Sequence, residues 1–259
     1  MRFIDIAYVQ EPEGFVDKVA TAIAAGEANI GDHSVVWRDC KENLKSASHK
    51  KCFYCEMHDS RSDGTVDHYR PKSKYKWAAF RLNNFRFACT FCNSRRTDKA
   101  MGEVGGKGDD FPLLDENSRA TCEAEEVNEY PLLLDPCKAA DPIQIDFHTD
   151  GSAVPKYTQE DDVRKKRAEK SIKSYHLNHS QLTEARRRLA IELSEKISTA
   201  ERALPNCTAD NAAALELFEN AVLDLQRAIK PEAELSVFAR RVLQTQRNNP
   251  LVDEVLATA

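Results

Sequence analysis

Four cysteines in two CxxC pairs are the residues of this chain with the clearest chemistry: Cys52, Cys55, Cys89 and Cys92. A CxxC turn presents two thiolates from one short loop, and two such turns complete the sulfur tetrahedron that structural zinc prefers. A catalytic dithiol is the alternative for either pair. Because the pairs occur together and no βαβ pattern surrounds them, the sequence predicts a structural zinc site.

The stretch between and just after these pairs predicts a small α+β module. Residues 65–69 have the composition of a short strand, which Pro71 ends because a proline cannot donate to a β-ladder. A second strand is predicted at 84–88, and a helix is predicted to begin with residues 93–99. We therefore expect a strand, a loop, a strand and a helix, held at both ends by the metal site.

Asp67 and His68 lie in the first predicted strand and could carry out hydrolysis. A neutral imidazole can deprotonate a water molecule, and a carboxylate can hold a hard divalent ion that neutralises charge on a phosphate oxygen. The alternative is a structural histidine beside an ion-paired aspartate. His58 could replace a cysteine as a zinc ligand, but the four cysteines already suffice.

Charge is distributed unevenly along the chain. The net charge is −5, which alone argues against a nucleic-acid partner, but residues 61–99 contain ten basic residues and three acids. Seven aromatic residues interleave with these charges, as in surfaces that bind a phosphate backbone. The alternative is a solvated, lysine-rich surface. We interpret the stretch, which begins at Arg61, as one basic face that binds nucleic acid.

The segment from Cys52 to Lys99 resembles the HNH, or ββα-metal, nuclease family, in the subset with a four-cysteine zinc site. The resemblance is carried by the four cysteines, by Asp67-His68 followed by Pro71, by Asn84 five residues before Cys89, and by Asn93 directly after Cys92.

This resemblance implies a role for each matching residue. His68 is the implied general base, Asp67 and Asn93 are implied ligands of a catalytic Mg²⁺ or Mn²⁺ ion, and Asn84 is implied to brace the loop that aims His68. Many family members have histidine where Asn93 stands, so this chain has an HNN variant of the motif. Four basic residues are the implied phosphate ligands, Arg70, Lys72, Arg95 and Arg96.

A weaker resemblance extends to the PtuB family, the HNH subunits of Septu-type antiphage systems, which also accompany some retrons. It is carried by the CFYCE, VDHYRPK and LDP sequences, by a turn at 147–151, and by Leu177-Asn178 before Arg186. The resemblance implies an antiphage effector that cleaves nucleic acid, DNA in preference to RNA, together with a PtuA-like ABC-type ATPase partner.

Four segments are expected along the chain. Residues 1–48 predict a helical N-terminal segment, 49–100 the HNH nuclease module, 101–158 a long loop with a small two-stranded element at 143–155, and 159–259 a helical C-terminal region. The helical predictions rest on apolar residues at three- and four-residue spacing, which mark the buried face of a helix. The expected fold class is α+β, with the zinc-bound module inside a mostly helical protein.

Composition indicates a globular protein without a membrane segment. The chain is 41% hydrophobic, has no run of about 18 apolar residues and begins without the apolar core of a secretion signal. We expect a cytoplasmic protein. The remaining cysteines have no paired spacing and are expected to be ordinary thiols, Cys40, Cys122, Cys137 and Cys207.

Two other functions remain open at this point. A zinc-ribbon protein that binds nucleic acid or serves as a scaffold would use the same cysteines and basic residues without catalysis. A redox or zinc-storage protein would use the thiols alone. The order and spacing of Asp67, His68, Asn84 and Asn93 favour the nuclease.

Overall fold

The computed structural model describes residues 1–59 and 62–258, so Arg61 of the basic stretch lies outside the described residues. The helices are α1 (Phe15–Ala24), α2 (Val35–Asp39), α3 (Lys41–Ala47), α4 (Thr90–Asn93), α5 (Val163–Ser174), α6 (Ser180–Ala203), α7 (Ala212–Ala228), α8 (Ser236–Gln244) and α9 (Pro250–Ala257). The strands are β1 (Thr65–His68), β2 (Phe85–Ala88), β3 (Arg96–Asp98), β4 (Glu103–Gly105), β5 (Ile145–Phe147) and β6 (Ala153–Pro155). Each consecutive pair of strands forms a two-stranded sheet, so the fold is a mixture of helices and small sheets.

The chain forms two compact units. The first contains residues 1–145 and 154–179, and the second contains the described residues of 146–153 and 180–259. None of the described helices combines the length and the apolar composition that a bilayer crossing requires.

The N-terminal helices of the first unit share a core with the predicted nuclease module. Trp37 in α2 and Leu44 in α3 pack in one apolar cluster with Phe53, Phe85 and Phe87. Residues 1–48 contain the helices α1, α2 and α3. Residues 1–48 therefore supply part of the core that supports the module.

β1 and β2 form the antiparallel pair that the sequence predicts. Thr65 lies opposite Ala88, and His68 lies opposite Phe85. Every residue of β2 is buried. Because both ends of β2 adjoin candidate site residues, this hairpin is the element that positions the site.

The helix predicted for residues 93–99 does not form. Helix α4 is a single turn that ends at Asn93, and the chain then enters β3, which pairs with β4 in an antiparallel hairpin. The residues of β3 gain their backbone partners from β4, which lies beyond a turn with Gly102 at φ +72°. The helical part of the predicted ββα module is thus wrong beyond its first turn.

Buried ion pairs hold later segments of the first unit against the β1–β2 hairpin and against one another. Arg86 in β2 makes a bidentate contact with Asp135, at 2.8 and 2.7 Å from nitrogen to carboxylate oxygen. Arg167 in α5 makes a similar contact with Asp141, at 2.7 Å for both bonds. These contacts give the segment after β4 a fixed position although it contains little regular structure.

The second unit contains α6 to α9, with α6 packed along α7. The predicted apolar stripe of α7 is buried only toward its C-terminal end, where Leu225 and Ile229 lie in the core, whereas Leu215 is 42% exposed. The final helical stretch divides into α8 and α9. Asn249 caps α9, and Pro250 occupies its first turn. Within 143–155, where the sequence predicts a two-stranded element, β5 pairs with β6.

Replacing Asp135 should destabilise the first unit strongly. Asp135→Asn leaves the buried Arg86 guanidinium without its counter-ion, so we expect the free energy of unfolding to fall by about 3–5 kcal/mol. The measurement is guanidinium denaturation of the zinc-loaded protein. Asp39→Asn is the control because the Lys18–Asp39 pair is partly exposed, and its removal should cost less than about 1 kcal/mol. Equal effects of the two variants would show that Arg86 does not depend on Asp135.

Candidate functional site

The four predicted zinc ligands lie together and are buried. All four sulfur atoms are within 4.8 Å of one another, and the sulfurs of Cys55 and Cys89 are 3.7 Å apart. Zinc–sulfur bonds of about 2.3 Å in a tetrahedron place sulfur atoms roughly 3.8 Å apart. The donor set and its dimensions therefore fit a structural zinc ion.

Backbone hydrogen bonds fix both cysteine turns to the β1–β2 hairpin. The first turn closes with a bond from Glu56 N to Cys52 O, and Phe53 N donates to Phe87 O of β2. The second turn begins at Cys89, directly after β2, and continues into α4. Burial opposes ionisation, but hydrogen bonds from the other three thiols lower the pKa of Cys52 well below its usual value.

His68 lies at the end of β1 in an apolar environment. Its Nε2 atom is 2.9 Å from the carbonyl oxygen of Ala79, and since a carbonyl only accepts, Nε2 carries the proton and Nδ1 is the basic nitrogen. The rings of Trp37 and Phe85 pack edge-on at centroid distances of 5.0 and 5.1 Å. Burial lowers the pKa of His68 to about 4, although the adjacent Asp67 carboxylate opposes this shift. The imidazole is therefore neutral at pH 7.

Asn84 makes three side-chain hydrogen bonds to the loop between β1 and β2. Its Oδ1 atom accepts from Arg70 N at 2.8 Å, and its Nδ2 atom donates to Arg70 O and to Ala78 O. Ala78 adjoins Ala79, whose carbonyl orients His68. These bonds place Asn84 where it can brace the loop around the imidazole.

Asp67 has different neighbours from His68, as expected for consecutive residues of a strand. Its Oδ2 atom accepts from the Tyr54 hydroxyl at 2.5 Å, and its Oδ1 atom accepts from Lys107 Nζ at 2.9 Å. Both carboxylate oxygens are thus occupied, and the side chain is buried. Metal ligation by Asp67 stays a prediction.

Asn93 lies near the opposite end of β1. Its Nδ2 atom donates to Thr65 Oγ1 at 2.9 Å. Thr65 and Asp67 share a face of the strand because side chains alternate, and His68 lies on the other face. The structure brings α4 against β1 but gives Asn93 and His68 different contacts.

The four predicted phosphate ligands have four different environments. Arg70 is buried and paired with Glu126 and Glu129 at 2.9 and 2.8 Å. The Lys72 ammonium lies 5.4 Å from the centre of the Trp37 ring, which also packs against His68. Of the four predicted phosphate ligands, Lys72 is the one that shares a contact with His68, through the Trp37 ring.

Arg95 and Arg96 follow α4. Arg95 is exposed, and the guanidinium of Arg96 lies 4.8 Å from the centre of the Phe91 ring. Their binding to phosphate stays a prediction.

Three residues that carry no motif contact the predicted site residues, namely Trp37, Tyr54 and Lys107. Trp37 fits the apolar spacing of a helix, which gives no sign of its contact with His68. Lys107 lies in a glycine-containing stretch that resembles a loop, and it contacts a residue 40 positions earlier. No local pattern signals such a contact.

No protein-family model matches the sequence. A curated protein, the Septu protein PtuB of Bacillus mycoides (strain KBAB4), is 31% identical over 170 residues, which cover 60% of this chain and 52% of that protein. The chain therefore spans about half the length of the relative that it matches. This similarity confirms the predicted resemblance to PtuB.

Removing one cysteine of the cluster should remove the metal. Cys89→Ser replaces a soft thiolate by a hydroxyl, so we expect the bound zinc to fall from about one per chain to near zero, with a large loss of thermal stability. Metal analysis of the purified protein measures this. Cys122→Ser is the control, because Cys122 is exposed and lies outside the cluster. Undiminished zinc in Cys89→Ser would contradict the assignment.

Proposed function

We propose that this chain is a nuclease of a Septu-type antiphage defence system and that it hydrolyses phosphodiester bonds, in DNA more than in RNA. The similarity to PtuB supports the defence role. The resemblance of the cysteine-bounded segment to HNH nucleases supports the chemistry. The observation that carries the proposal is the orientation of His68 within that segment.

We assign His68 as the general base for water. The Ala79 carbonyl holds the proton on Nε2, which leaves the Nδ1 lone pair to accept a proton. Burial keeps the ring neutral at pH 7 because it lowers the pKa to about 4. Trp37 and Phe85 fix the plane of the ring, so the base is oriented before substrate binds.

Lys72 is the residue that we assign to the substrate phosphate. Its ammonium lies over Trp37 and acts electrostatically on His68, so a phosphate bound to Lys72 would lie close to the base. Of the residues that the structure describes, Lys72 and Arg95 form no ion pair within 4 Å, whereas Arg70 and Arg86 are buried with carboxylates. Lys72 is therefore a better candidate for a phosphate contact than Arg70 or Arg86.

A divalent ion, Mg²⁺ or Mn²⁺, would neutralise charge on the leaving oxygen when bound. The candidate ligands Asp67 and Asn93 fit this ion poorly in the described conformation. Tyr54 and Lys107 occupy both oxygens of Asp67, and the ammonium cancels its charge. No step of the proposed reaction is therefore assigned to Asp67 or Asn93.

The zinc ion is proposed to be structural. Four thiolates fill a tetrahedral ion and leave no position for water or substrate. Zinc would hold the turn before β1 to the turn after β2 and so keep His68 in place.

A PtuA-like ABC-type ATPase is the proposed partner, as the resemblance to the PtuB family implies. In the second unit, α7 carries three leucines that are each more than 40% exposed and so could contact such a partner, Leu215, Leu217 and Leu223.

A zinc-dependent nucleic-acid-binding protein without catalysis is the second candidate. One observation favours it, because Asp67 is paired with Lys107 and so resembles a structural residue. Such a protein would bind nucleic acid with a steep salt dependence and would not cleave it.

His68→Gln tests the nuclease proposal. Glutamine retains a donor toward Ala79 O but cannot accept the proton from water, so we expect cleavage to fall by about 10²–10⁴-fold. Zinc content and the secondary structure should be retained. Cleavage of plasmid DNA and of total RNA by the zinc-loaded protein is measured, and His148→Gln, at an exposed histidine outside the module, is the control.

The same assay is run with and without the ATPase and with Mg²⁺, Mn²⁺ or a chelator of weak affinity for protein zinc. Cleavage that needs the ATPase supports the partner. Wild-type cleavage by His68→Gln would contradict the role of His68, and binding without cleavage in every condition would favour the non-catalytic candidate.

Lys72→Met should weaken binding of nucleic acid independently of its sequence. Loss of one phosphate contact should reduce the slope of log K against log salt concentration by about 1. Fluorescence anisotropy with a labelled duplex measures this in the His68→Gln background, where substrate stays intact. Lys76→Met is the control, because Lys76 is exposed and paired with Glu27. Equal slopes for both variants would remove Lys72 from the proposed interface.

A further inference from the structure

The Lys107 side chain is completely buried, and its ammonium has three oxygen neighbours. Nζ lies 2.9 Å from Asp67 Oδ1, 2.7 Å from His68 O and 3.4 Å from Gly108 O. A buried ammonium is stable only when its charge and its donors are matched, and these oxygens supply both requirements. Lys107 thus occupies the position of a cation next to the predicted catalytic carboxylate.

Asp67 has little capacity for a second cation. Its other oxygen accepts from Tyr54, whose ring stacks on Tyr175 at a centroid distance of 3.9 Å and is therefore held in place. A divalent ion binds oxygen ligands that carry net negative charge. The Asp67–Lys107 pair is neutral, and a divalent ion at Asp67 would meet the ammonium at contact distance, where the repulsion is strong.

The backbone delivers Lys107 to this position from the end of the β3–β4 hairpin. Lys107 N donates to Cys92 O at 2.8 Å, and Gly108 N donates to Asn93 O at 2.7 Å. Gly106 has φ +95°, and a β-carbon there would lie 2.2 Å from Ser94 O. Glycine at this position therefore lets the chain pass close to Ser94, and the two backbone bonds fix Lys107 beside α4 and the second cysteine turn.

We propose that Lys107 is a tethered ammonium that excludes divalent metal ions from Asp67. Its importance rests on the proposed function, because metal-dependent cleavage through Asp67 would require Lys107 to withdraw first. The proposal itself concerns ion binding in the absence of substrate. It can therefore fail while the nuclease proposal stands, and it can hold for a protein that does not cleave.

The first test compares Mn²⁺ binding by zinc-loaded wild type and Lys107→Met, followed by electron paramagnetic resonance. Methionine keeps an unbranched apolar stem and removes the charge, so we expect Mn²⁺ to bind at least about tenfold more tightly. The gain should disappear in the Lys107→Met, Asp67→Asn double variant. Lys51→Met is the matched control, because it removes a buried ammonium near a different carboxylate, Glu56.

The second test needs no variant and so does not depend on the folding of Lys107→Met. Mn²⁺ is added to the isotopically labelled, zinc-loaded wild type, and broadening of the backbone amide signals is followed by NMR. We expect the Asp67 and His68 amides to show no selective broadening at stoichiometric Mn²⁺. Selective broadening there, no gain in Lys107→Met, an equal gain in Lys51→Met, or a gain that survives in the double variant would each overturn the proposal.

Discussion

The arrangement of the first unit depends on four buried cysteine sulfurs that lie within 4.8 Å of one another. Several thiolates this close repel each other in a medium of low dielectric, so a bound cation would stabilise the cluster. The cysteine turns hold β2 through the bond from Phe53 N to Phe87 O, and they hold the following segment through the bond from Lys107 N to Cys92 O. A metal in this cluster would therefore position both His68 and Lys107.

The second constraint is the pairing of buried charges. The sequence predicts that the basic stretch forms one face that binds nucleic acid, but Arg70 and Arg86 lie inside the first unit with carboxylates 59 and 49 positions away. Their role in the described structure is to hold later segments to the hairpin. A count of charges along the sequence cannot distinguish a buried arginine from an exposed one, because the partner comes from a distant part of the chain. The proposed contact with phosphate can therefore use fewer arginines than the sequence predicts.

Local chemistry explains which features were predictable. Paired CxxC spacing predicted the cysteine cluster, and Pro71 correctly marked the end of β1. The helix expected after Asn93 failed because β3 is defined by β4, and pairing between strands leaves no local pattern in a three-residue polar segment. The apolar spacing in α7 predicted a helix correctly, yet Leu215 at the start of that stripe is exposed whereas Leu225 is buried, since periodicity specifies a face and not what covers it.

β1 separates two neighbouring residues into two chemical environments. His68 is neutral, surrounded by aromatic rings and oriented by Ala79, which suits a base. The Asp67 carboxylate accepts from Tyr54 and pairs with Lys107, which suits a structural carboxylate. A reaction that uses both residues must therefore change the surroundings of Asp67 and preserve those of His68. Lys107 N donates to Cys92 O and Gly108 N donates to Asn93 O, so a backbone movement of the β3–β4 hairpin or of the second cysteine turn would also move the Lys107 ammonium relative to Asp67.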